Sequence, residues 1–478
     1  MVSSTKLLNR VLDDDRLLPA EPHTRQIARR LYDATCALPI VSPHGHCDAA
    51  SLAEDRPFED PAKELVTRDH YLLRMLYSQG VPMESLGVHP LGGGDAEDDG
   101  ARIWRTFADH YHLFLGTPSK LWLDHTLGAV FGIDEPLRPE SAAAVYEQMC
   151  ARLGEEAFRP RTLFTQMRIE FLATTDHALD PLASHAALRQ SGWRGRVVPT
   201  FRPDDVVDPD RPGFAANVAA LGAATGCDTT TWKGYLEALR ARRADFVAAG
   251  ATASDHGHPS PLTVDLSTRE AEDLFMRVIG PSRRAEDAEL FRGLMLVQMA
   301  AMSMDDGLVL QLHAGAWRNH NPWLAQRFGP DMGADIPTPT GYVAALKPLL
   351  DRFGNEAGLT VVIYTLDEST YSRELAPLAG HYPALRLGPP WWFFDSPEGL
   401  RRFYRLVMET AGFANTVGFN DDARSLLTIP ARHDAARRVN AGYLAELVAE
   451  HRLREDEAAV LAEELAYGLA ARSFGVSP

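Results

Sequence analysis

Short apolar runs recur along the whole chain, and each ends in polar, glycine or proline residues before a stretch of helical periodicity. Continuous runs rich in branched residues are typical of buried parallel strands that are covered by helices on both faces. Eight such runs predict an α/β fold of the (β/α)8 TIM-barrel type. The runs at 196–202, 251–256 and 385–388 are weak by pattern alone. The eight runs are residues 38–44, 170–176, 196–202, 251–256, 308–313, 359–365, 385–388 and 415–420.

The spacing of the runs is uneven, which predicts a distorted barrel with additions. The first two runs are separated by far more chain than one crossover helix needs. We therefore expect a long helical insertion after the first strand, at about 50–165. Residues 430–474 are rich in Ala, Leu, Glu and Arg at helical spacing and predict C-terminal helices. The expected organisation is an N-terminal helical segment, 1–37, followed by the barrel, 38–478.

Composition and charge exclude several classes of protein. Hydrophobic residues make up 45% and charged residues 24% of the 478 residues, which is the balance of an ordinary globular protein. No apolar run is long enough for a membrane span. The formal net charge of −17 disfavours nucleic acids and anionic lipids as partners. Acidic residues at 13–15 arrive before any apolar segment forms, so we expect no secretory signal.

The four cysteines are widely spaced and form no CxxC pair. This pattern argues against a disulfide framework and against a cysteine-based zinc site. It indicates a protein of the reducing cytoplasm. The cysteines are Cys36, Cys47, Cys150 and Cys227.

The first and last runs end in side chains of metal-ligating type. His44 and His46 lie two residues apart, so on a strand both imidazoles point to the same side. Closure of a barrel makes the last strand the neighbour of the first, which would bring Asp422 to the two histidines. Asp422 could otherwise serve as a helix cap. We predict one divalent metal ion at these residues, with zinc favoured and manganese, iron or cobalt as alternatives.

Other runs end in candidate substrate contacts, which are Arg202, His256, His313, Arg318 and the aromatic segment 391–394. The planar forks of Arg202 and Arg318 suit a carboxylate. His256 and His258 repeat the His-x-His spacing, but a substrate or supporting role for His256 is more economical than a second metal. Trp392 is a candidate floor for a sugar, and core packing explains the aromatic segment equally well.

Taken in order along the chain, these motifs resemble those of the uronate isomerases, or glucuronate isomerases, of the amidohydrolase superfamily. The resemblance covers nearly the whole chain. Each motif is weak alone, whereas the collinear set is specific and includes an Asp-His-Tyr motif that superfamily relatives generally lack. The motifs lie at 43–46, 69–71, 173–176, 201–204, 253–257, 311–315 with 318–319, 391–393 and 422–424.

The resemblance implies a distorted (β/α)8 barrel that interconverts D-glucuronate with D-fructuronate and D-galacturonate with D-tagaturonate. The metal ligands of the family fall on His44, His46 and Asp422. Its other site residues fall on His70, Tyr71, Arg202, His313, Arg318 and Arg424. The family often has Thr-Asp-Ser-Arg at the last strand, where this chain has Asp-Asp-Ala-Arg at 421–424. Metal ligation by Asp421 therefore stays open.

An aldose–ketose isomerase moves a hydrogen between C2 and C1 and needs a base, a charge stabiliser and a clamp. Asp422 is the candidate base, directly or through a metal-bound hydroxide that it orients. Arg424 would offset oxyanion charge and Tyr71 would donate to a sugar oxygen. Arg202 and Arg318 are the candidates for the C6 carboxylate. The substrate-binding candidates are His70, Arg202, His256, His313, Arg318 and Trp392. Hydride transfer is an alternative to the enediol route.

Two other functions are weighed against this one. A metal-dependent hydrolase or deaminase of the same superfamily would share the His-x-His and final Asp, but the acid of the deaminase His-Ala-Gly-Glu motif is replaced by Ala316. A non-catalytic sugar-acid-binding barrel is the second alternative, and turnover of a hexuronate would exclude it. The sequence leaves open the metal, the preferred hexuronate, the arginine that binds the carboxylate, and whether the chain forms a homo-oligomer.

Overall fold

A curled sheet of parallel strands forms the centre of the molecule in the computed structural model, which describes residues 11–476. Within these residues, seven strands pair in the order β1-β2-β3-β4-β5-β8-β9, and β6 and β7 form a separate antiparallel pair. The strands are β1 (Ile40–Ser42), β2 (Ile169–His177), β3 (Arg196–Arg202), β4 (Ala253–His256), β5 (Val309–Ala314), β6 (Ala316–Trp317), β7 (Ile336–Pro337), β8 (Val361–Thr365) and β9 (Leu385–Leu387).

The structure places a sheet strand in each of the first seven predicted runs. The eighth run, 415–420, forms no strand within the described residues, although Val417 N–H donates to the carbonyl oxygen of Leu387 on β9 at 3.1 Å. Further on, His46 N–H donates to the carbonyl oxygen of Ala423 at 2.8 Å. The eighth run therefore bridges the two edges of the curled sheet without joining its ladder.

Backbone conformation explains why the eighth run is not a strand. Gly418 has a φ of 75° and Asp422 a φ of 47°, and both values lie outside the extended region that ladder pairing requires. The prediction of an eighth regular strand is therefore not met. The bend nevertheless carries Asp422 to the end of β1, as barrel closure requires.

Successive strand residues belong to apolar clusters on opposite faces of the sheet, as the period of two in a strand dictates. Val41, Phe171, Val198, Val309 and Val362 share the cluster on the concave side of the sheet. Their neighbours along the strands belong instead to two clusters that include the surrounding helices. The interior of the curl is thus filled with side chains, and only the carboxyl ends of the strands remain for a site.

The chain between β1 and β2 is helical, as the sequence predicts, and packs around an apolar cluster that includes Trp104 and Phe107. The status of this segment as an insertion stays a prediction. Residues 1–10, which carry the start of the predicted segment 1–37 and the expected absence of a secretory signal, lie outside the described residues. The first helices are α1 (Pro22–Thr35), α2 (Ala49–Glu54), α3 (His70–Ser78), α4 (Gly100–Asp109), α5 (Pro118–His125), α6 (Ala142–Leu153) and α7 (Pro160–Gln166).

The predicted C-terminal helices are confirmed, and the long helix α18 packs against α1. No helix in residues 11–476 is long and apolar enough to cross a membrane. The later helices are α8 (Ala183–Gln190), α9 (Asp204–Val207), α10 (Phe214–Thr225), α11 (Trp232–Ala248), α12 (Thr268–Ile279), α13 (Asp287–Asp306), α14 (Pro322–Phe328), α15 (Lys347–Phe353), α16 (Ala376–Ala379), α17 (Pro397–Ala411), α18 (Ile429–Ala449), α19 (Glu455–Glu463) and α20 (Leu469–Ser473). Short 3₁₀ or π turns lie at Lys63–Thr67, Met83–Leu86, Tyr111–Phe114, Thr126–Val130, Glu156–Phe158, Tyr371–Leu375, Trp392–Phe394, Phe413–Asn415, Leu426–Thr428 and Glu464–Gly468.

Candidate active site

A cavity of about 900 Å³ opens at the carboxyl ends of the strands. Its size is typical of a pocket for a small molecule. Most of the predicted site residues line it, although they come from segments that are far apart in the sequence. The predicted residues in its wall are His44, His46, His70, Arg202, His313, Arg318, Trp392, Asp422 and Arg424.

Three of these side chains converge as the sequence predicts for a metal centre. The Oδ1 atom of Asp422 lies 3.6 Å from His44 Nε2 and 3.3 Å from His46 Nε2. His44 is buried at 3% exposure, and its Nδ1 meets no hydrogen-bond partner in the described part of the chain. The cluster therefore presents ligand atoms that point at one another.

The protonation states in this cluster suit a cation. Burial, together with the charge on His313, lowers the pKa of His44 to about 3, so its imidazole is neutral at physiological pH. Burial raises the pKa of Asp422, but the hydrogen bond and charge of His46 and the charge of His44 outweigh this effect and hold the pKa well below its ordinary value. Two imidazoles and an ionised carboxylate form a donor set that fits a divalent metal ion such as zinc.

Asp421, the alternative metal ligand, is engaged elsewhere. One carboxylate oxygen lies 2.9 Å from His433 Nε2, and the other accepts from the Ala423 N–H at 3.1 Å. Both groups lie on the far side of the bend that aims Asp422 into the cavity. The geometry therefore favours Asp422 over Asp421 as the ligand.

A buried carboxylate that the sequence analysis did not select organises the middle of the site. Asp255, at the end of β4, is fully buried and lies 2.6 Å from His313 Nδ1. Its other oxygen accepts from Arg202 Nη1 at 2.8 Å. Burial raises the pKa of Asp255, but the charges of His313 and Arg202 outweigh it and hold the pKa well below the ordinary value. The sequence feature that could have pointed to Asp255 is its position at the end of a predicted strand.

The guanidinium of Arg202 is held on two sides. Besides its bond to Asp255, its Nε donates to Asp204 Oδ2 at 2.9 Å. Two carboxylates thus fix the direction of this side chain and neutralise much of its charge. Arg202 lines the cavity as predicted, but its guanidinium is already paired with Asp204 and Asp255 and is not a free cation.

Among the residues that the structure describes, Arg318 pairs with one carboxylate, Asp335, whose Oδ2 lies 3.1 Å from Nη1. Its guanidinium carbon lies 5.8 Å and 5.4 Å from the ring centres of Trp391 and Trp392, a cation–π arrangement. Burial and the positive charge of Arg202 lower the pKa of Arg318. An anion in the cavity would stabilise the charge of Arg318, which burial and Arg202 disfavour.

Arg424 lies beside the metal-ligating cluster and is more loosely held. Its Nη2 is 3.7 Å from Asp331 Oδ2, the longest ion-pair separation among the four arginines that line the cavity in the described residues. It also shares the wall of a small adjoining cavity of about 20 Å³ with Tyr71 and Asp422. Arg424 is therefore placed to act close to Asp422.

Tyr71 and His70 begin helix α3, where the Asp69 carboxylate accepts from the Tyr71 N–H at 2.8 Å and caps the helix. This cap directs His70 into the main cavity. The Tyr71 hydroxyl instead donates to Asp395 at 2.9 Å, and Arg432 binds the same carboxylate oxygen at 2.8 Å. The structure thus brings His70 to the main cavity and Tyr71 to its small neighbour.

His256 is the predicted contact that the structure does not bring to the cavity. It is fully buried behind Arg202 and lies outside the cavity wall formed by the described residues. The preceding residue, Asp255, faces His313, and alternation along the strand turns His256 to the opposite side. The predicted substrate contact of His256 therefore does not fit this geometry.

The fold and the cavity together define a class of protein, an α/β enzyme with a His-His-Asp cluster and arginines at the carboxyl ends of a curled parallel sheet. A family model described as glucuronate isomerase matches residues 10–474. The chain therefore belongs to the glucuronate isomerase family, also known as the uronate isomerases.

Individual relatives agree with this membership. A uronate isomerase of Rhizorhabdus wittichii is 59% identical over 463 residues, which are 97% of this chain and 98% of the relative. The crystal structure of glucuronate isomerase from Caulobacter crescentus superposes with a TM-score of 0.96 at 51% identity, covering 98% of this chain and 97% of that one. A uronate isomerase from Thermotoga maritima gives a TM-score of 0.90 at 28% identity, covering 97% of this chain and 99% of that one.

Proposed function

We propose that this protein is an aldose–ketose isomerase that converts D-glucuronate to D-fructuronate and D-galacturonate to D-tagaturonate. The observation that carries the proposal is one cavity in which the His44–His46–Asp422 cluster shares a wall with Arg318 and Arg202. A sugar acid has the matching chemistry, because its carbonyl end needs polarisation and its other end carries a carboxylate. The activity named for the family, glucuronate isomerase, supports the same substrate class.

The arginines bind the C6 carboxylate. Arg318 contributes the guanidinium with the fewer acidic partners, and the substrate anion relieves its unfavourable proximity to Arg202. The indole rings of Trp391 and Trp392 pack beneath Arg318 and exclude water from that end of the cavity. The carboxylate end of the sugar is thereby fixed, which orients C1 and C2 toward Asp422.

His313 binds a sugar hydroxyl. Its Nδ1 is engaged by the Asp255 carboxylate, so the ring carries its proton on that nitrogen. Nε2 is then the ring nitrogen left for the sugar. Stacking on Tyr364, with ring centres 4.1 Å apart and an interplanar angle of 5°, holds the imidazole in this orientation.

Asp422 removes the proton from C2 and returns it to C1, while the proton of the C2 hydroxyl passes to the C1 oxygen. Arg424, two residues along the chain and in the same cavity wall, offsets the negative charge that develops on the sugar oxygens. Donation by Tyr71 to a sugar oxygen, as the sequence analysis suggests, requires exchange of its bond to Asp395. Tyr71 is therefore assigned to the edge of the reaction centre.

A divalent metal ion, with zinc favoured, would be held by His44, His46 and Asp422. When bound, it supplies Lewis-acid polarisation of the sugar oxygens.

Turnover tests the proposal directly. The purified protein, loaded with zinc after chelator treatment, is incubated with D-glucuronate and separately with D-galacturonate, and ketose formation is followed by NMR. We expect conversion of at least one hexuronate and loss of conversion in His44→Ala. No turnover of either sugar by fully loaded, folded protein would overturn the proposal in favour of a sugar-acid-binding barrel.

A further inference from the structure

A second cluster of metal-ligating side chains lies behind the cavity wall, in the layer between β4 and α9. Asp204, His256 and His258 each offer a ligand atom, and these atoms lie within 4.8 Å of one another. All three side chains are buried, with exposures of 1%, 0% and 2%. The two imidazole ring centres are 5.6 Å apart at 75°, so the rings converge from different directions.

The histidines of this cluster are available as ligands. Neither ring nitrogen of His256 or of His258 meets a hydrogen-bond partner among the described residues. Burial lowers the pKa of His256 to about 3 and that of His258 to about 4, so both imidazoles are neutral at physiological pH. A neutral imidazole buried beside a carboxylate without a hydrogen bond is unusual, because buried polar atoms are normally paired.

Asp204 retains room for a cation. Its Oδ2 accepts from Arg202 at 2.9 Å and from Arg211 at 3.1 Å, whereas the contact recorded for Oδ1 is the Gly257 N–H at 3.1 Å. A carboxylate oxygen has two lone pairs, so Oδ1 keeps one for a metal. Burial raises the pKa of Asp204, but the charges of the two arginines outweigh it and keep the group ionised.

The surrounding charge also permits a cation. Arg202 and Arg211 each bind a second carboxylate besides Asp204, namely Asp255 at 2.8 Å and Asp205 at 2.9 Å. Two guanidiniums are therefore shared among three carboxylates. Arg292, whose charge also acts on His258, is itself paired with Asp208 and Asp210.

We propose that Asp204, His256 and His258 bind a second divalent cation of the zinc class. Two imidazoles and one carboxylate with a fourth position for water form a donor set that zinc and cobalt accept. This site shares no ligand with the His44–His46–Asp422 cluster. A cation there joins the start of α9 to the loop after β4, and Asp204 passes this constraint to Arg202 in the cavity wall.

Metal stoichiometry tests the proposal. The whole protein is stripped with chelator, titrated with Zn²⁺ alone, desalted, and analysed for bound metal. We expect two zinc ions per chain in the wild type, one in His258→Gln, one in His44→Ala and none in the double variant. His185→Gln is the matched control, because His185 is equally buried but bonds to Thr174 and belongs to neither cluster, so it should retain two. One zinc in the wild type, or two in His258→Gln, would overturn the proposal.

A second measurement covers the case in which His258→Gln does not fold. Crystals of zinc-loaded wild-type protein are measured on both sides of the zinc absorption edge. We expect two anomalous peaks, one within His44, His46 and Asp422 and the other within Asp204, His256 and His258. A single peak at the first cluster overturns the second site, whatever the enzyme's activity.

Discussion

Replacing Arg318 with methionine removes a cavity guanidinium that has fewer acidic partners than Arg202 and leaves its aromatic packing in place. Arg318 pairs with Asp335 at 3.1 Å and lies over Trp391 and Trp392. Methionine has a similar length and can pack on the same rings. The change therefore tests the charge and the hydrogen bonds of Arg318 rather than its bulk.

The magnitude follows from the surroundings of the guanidinium. Loss of one partner of a buried, hydrogen-bonded charge pair costs about 2–4 kcal/mol, which corresponds to about 30- to 1000-fold in kcat/KM. Two features of the site place the expected loss of kcat/KM between these limits. Arg202 remains in the same wall to attract the carboxylate, and Asp335 already neutralises part of the Arg318 charge. We expect a loss of about 100-fold, with Arg318→Lys intermediate because lysine keeps the charge but lacks the planar fork.

Asp335→Asn is the matched control for this experiment. Asp335 also accepts from the Asn319 N–H at 2.6 Å, and an asparagine oxygen can keep that bond. The variant frees Arg318 from its counter-charge and should leave kcat/KM within about threefold of wild type, because the guanidinium still faces the substrate.

Steady-state kinetics with both hexuronates, together with urea unfolding of every variant, distinguishes binding from a structural role. If Arg318 serves only as the ion-pair partner of Asp335, the methionine and asparagine variants will lose activity and stability in parallel. Equal losses, or an Arg318→Met enzyme within threefold of wild type, would show that the carboxylate is bound elsewhere, with Arg424 the next candidate.

Three further predictions concern the metal, the proton and the pH dependence of stability. His44→Ala should lose one equivalent of bound metal and most isomerase activity while its far-UV circular dichroism is retained; full activity after chelation would contradict the metal assignment. Asp422→Asn should lower kcat by about 10²- to 10⁴-fold. Wild-type product formed in D2O should carry deuterium at C1 by NMR, and absence of deuterium together with an active Asp422→Asn enzyme would indicate another route for the hydrogen. Burial raises the pKa of Asp176 from 3.8 to about 6, so the native carboxyl keeps its proton longer than the unfolded one, and stability falls as pH rises between these values. At pH 7, the free energy of unfolding of Asp176→Asn, measured in urea, should therefore exceed that of wild type by up to about 3 kcal/mol, and below pH 4 the two values should be equal. A difference that stays the same across this pH range would refute the ionisation argument.

The strand positions were predictable because burial on both faces leaves a continuous apolar run in the sequence. The weakest run, 251–256, still contains β4, and run 196–202 coincides with β3. The eighth run has the same apolar pattern but does not form a strand. This segment leaves the extended conformation because Gly418 and Asp422 have positive φ angles. We attribute these angles to closure of the sheet, which the apolar pattern of the run does not report.

The site was predictable to the level of residue type at each strand end. The His-x-His at 44–46 and the acid after the last run predict a candidate metal centre, because imidazoles and carboxylates are recognisable as ligands from residue type alone. The strand ends selected Arg202 and Arg318, and the resemblance to the uronate isomerases added Arg424, His70 and Tyr71. The choice between Asp421 and Asp422 was beyond the sequence, since it depends on which carboxylate His433 engages.

By itself, then, the sequence determined which segments are buried strands, which side chains end them, and the family to which their order belongs. Tertiary structure alone decided how those ends combine. Asp255 links His313 to Arg202, Arg318 rests on two indole rings, and His256 faces away from the cavity toward His258. The physical reason is that ion pairing and desolvation act between groups brought together by the curl of the sheet, and neither leaves a periodic trace along the chain.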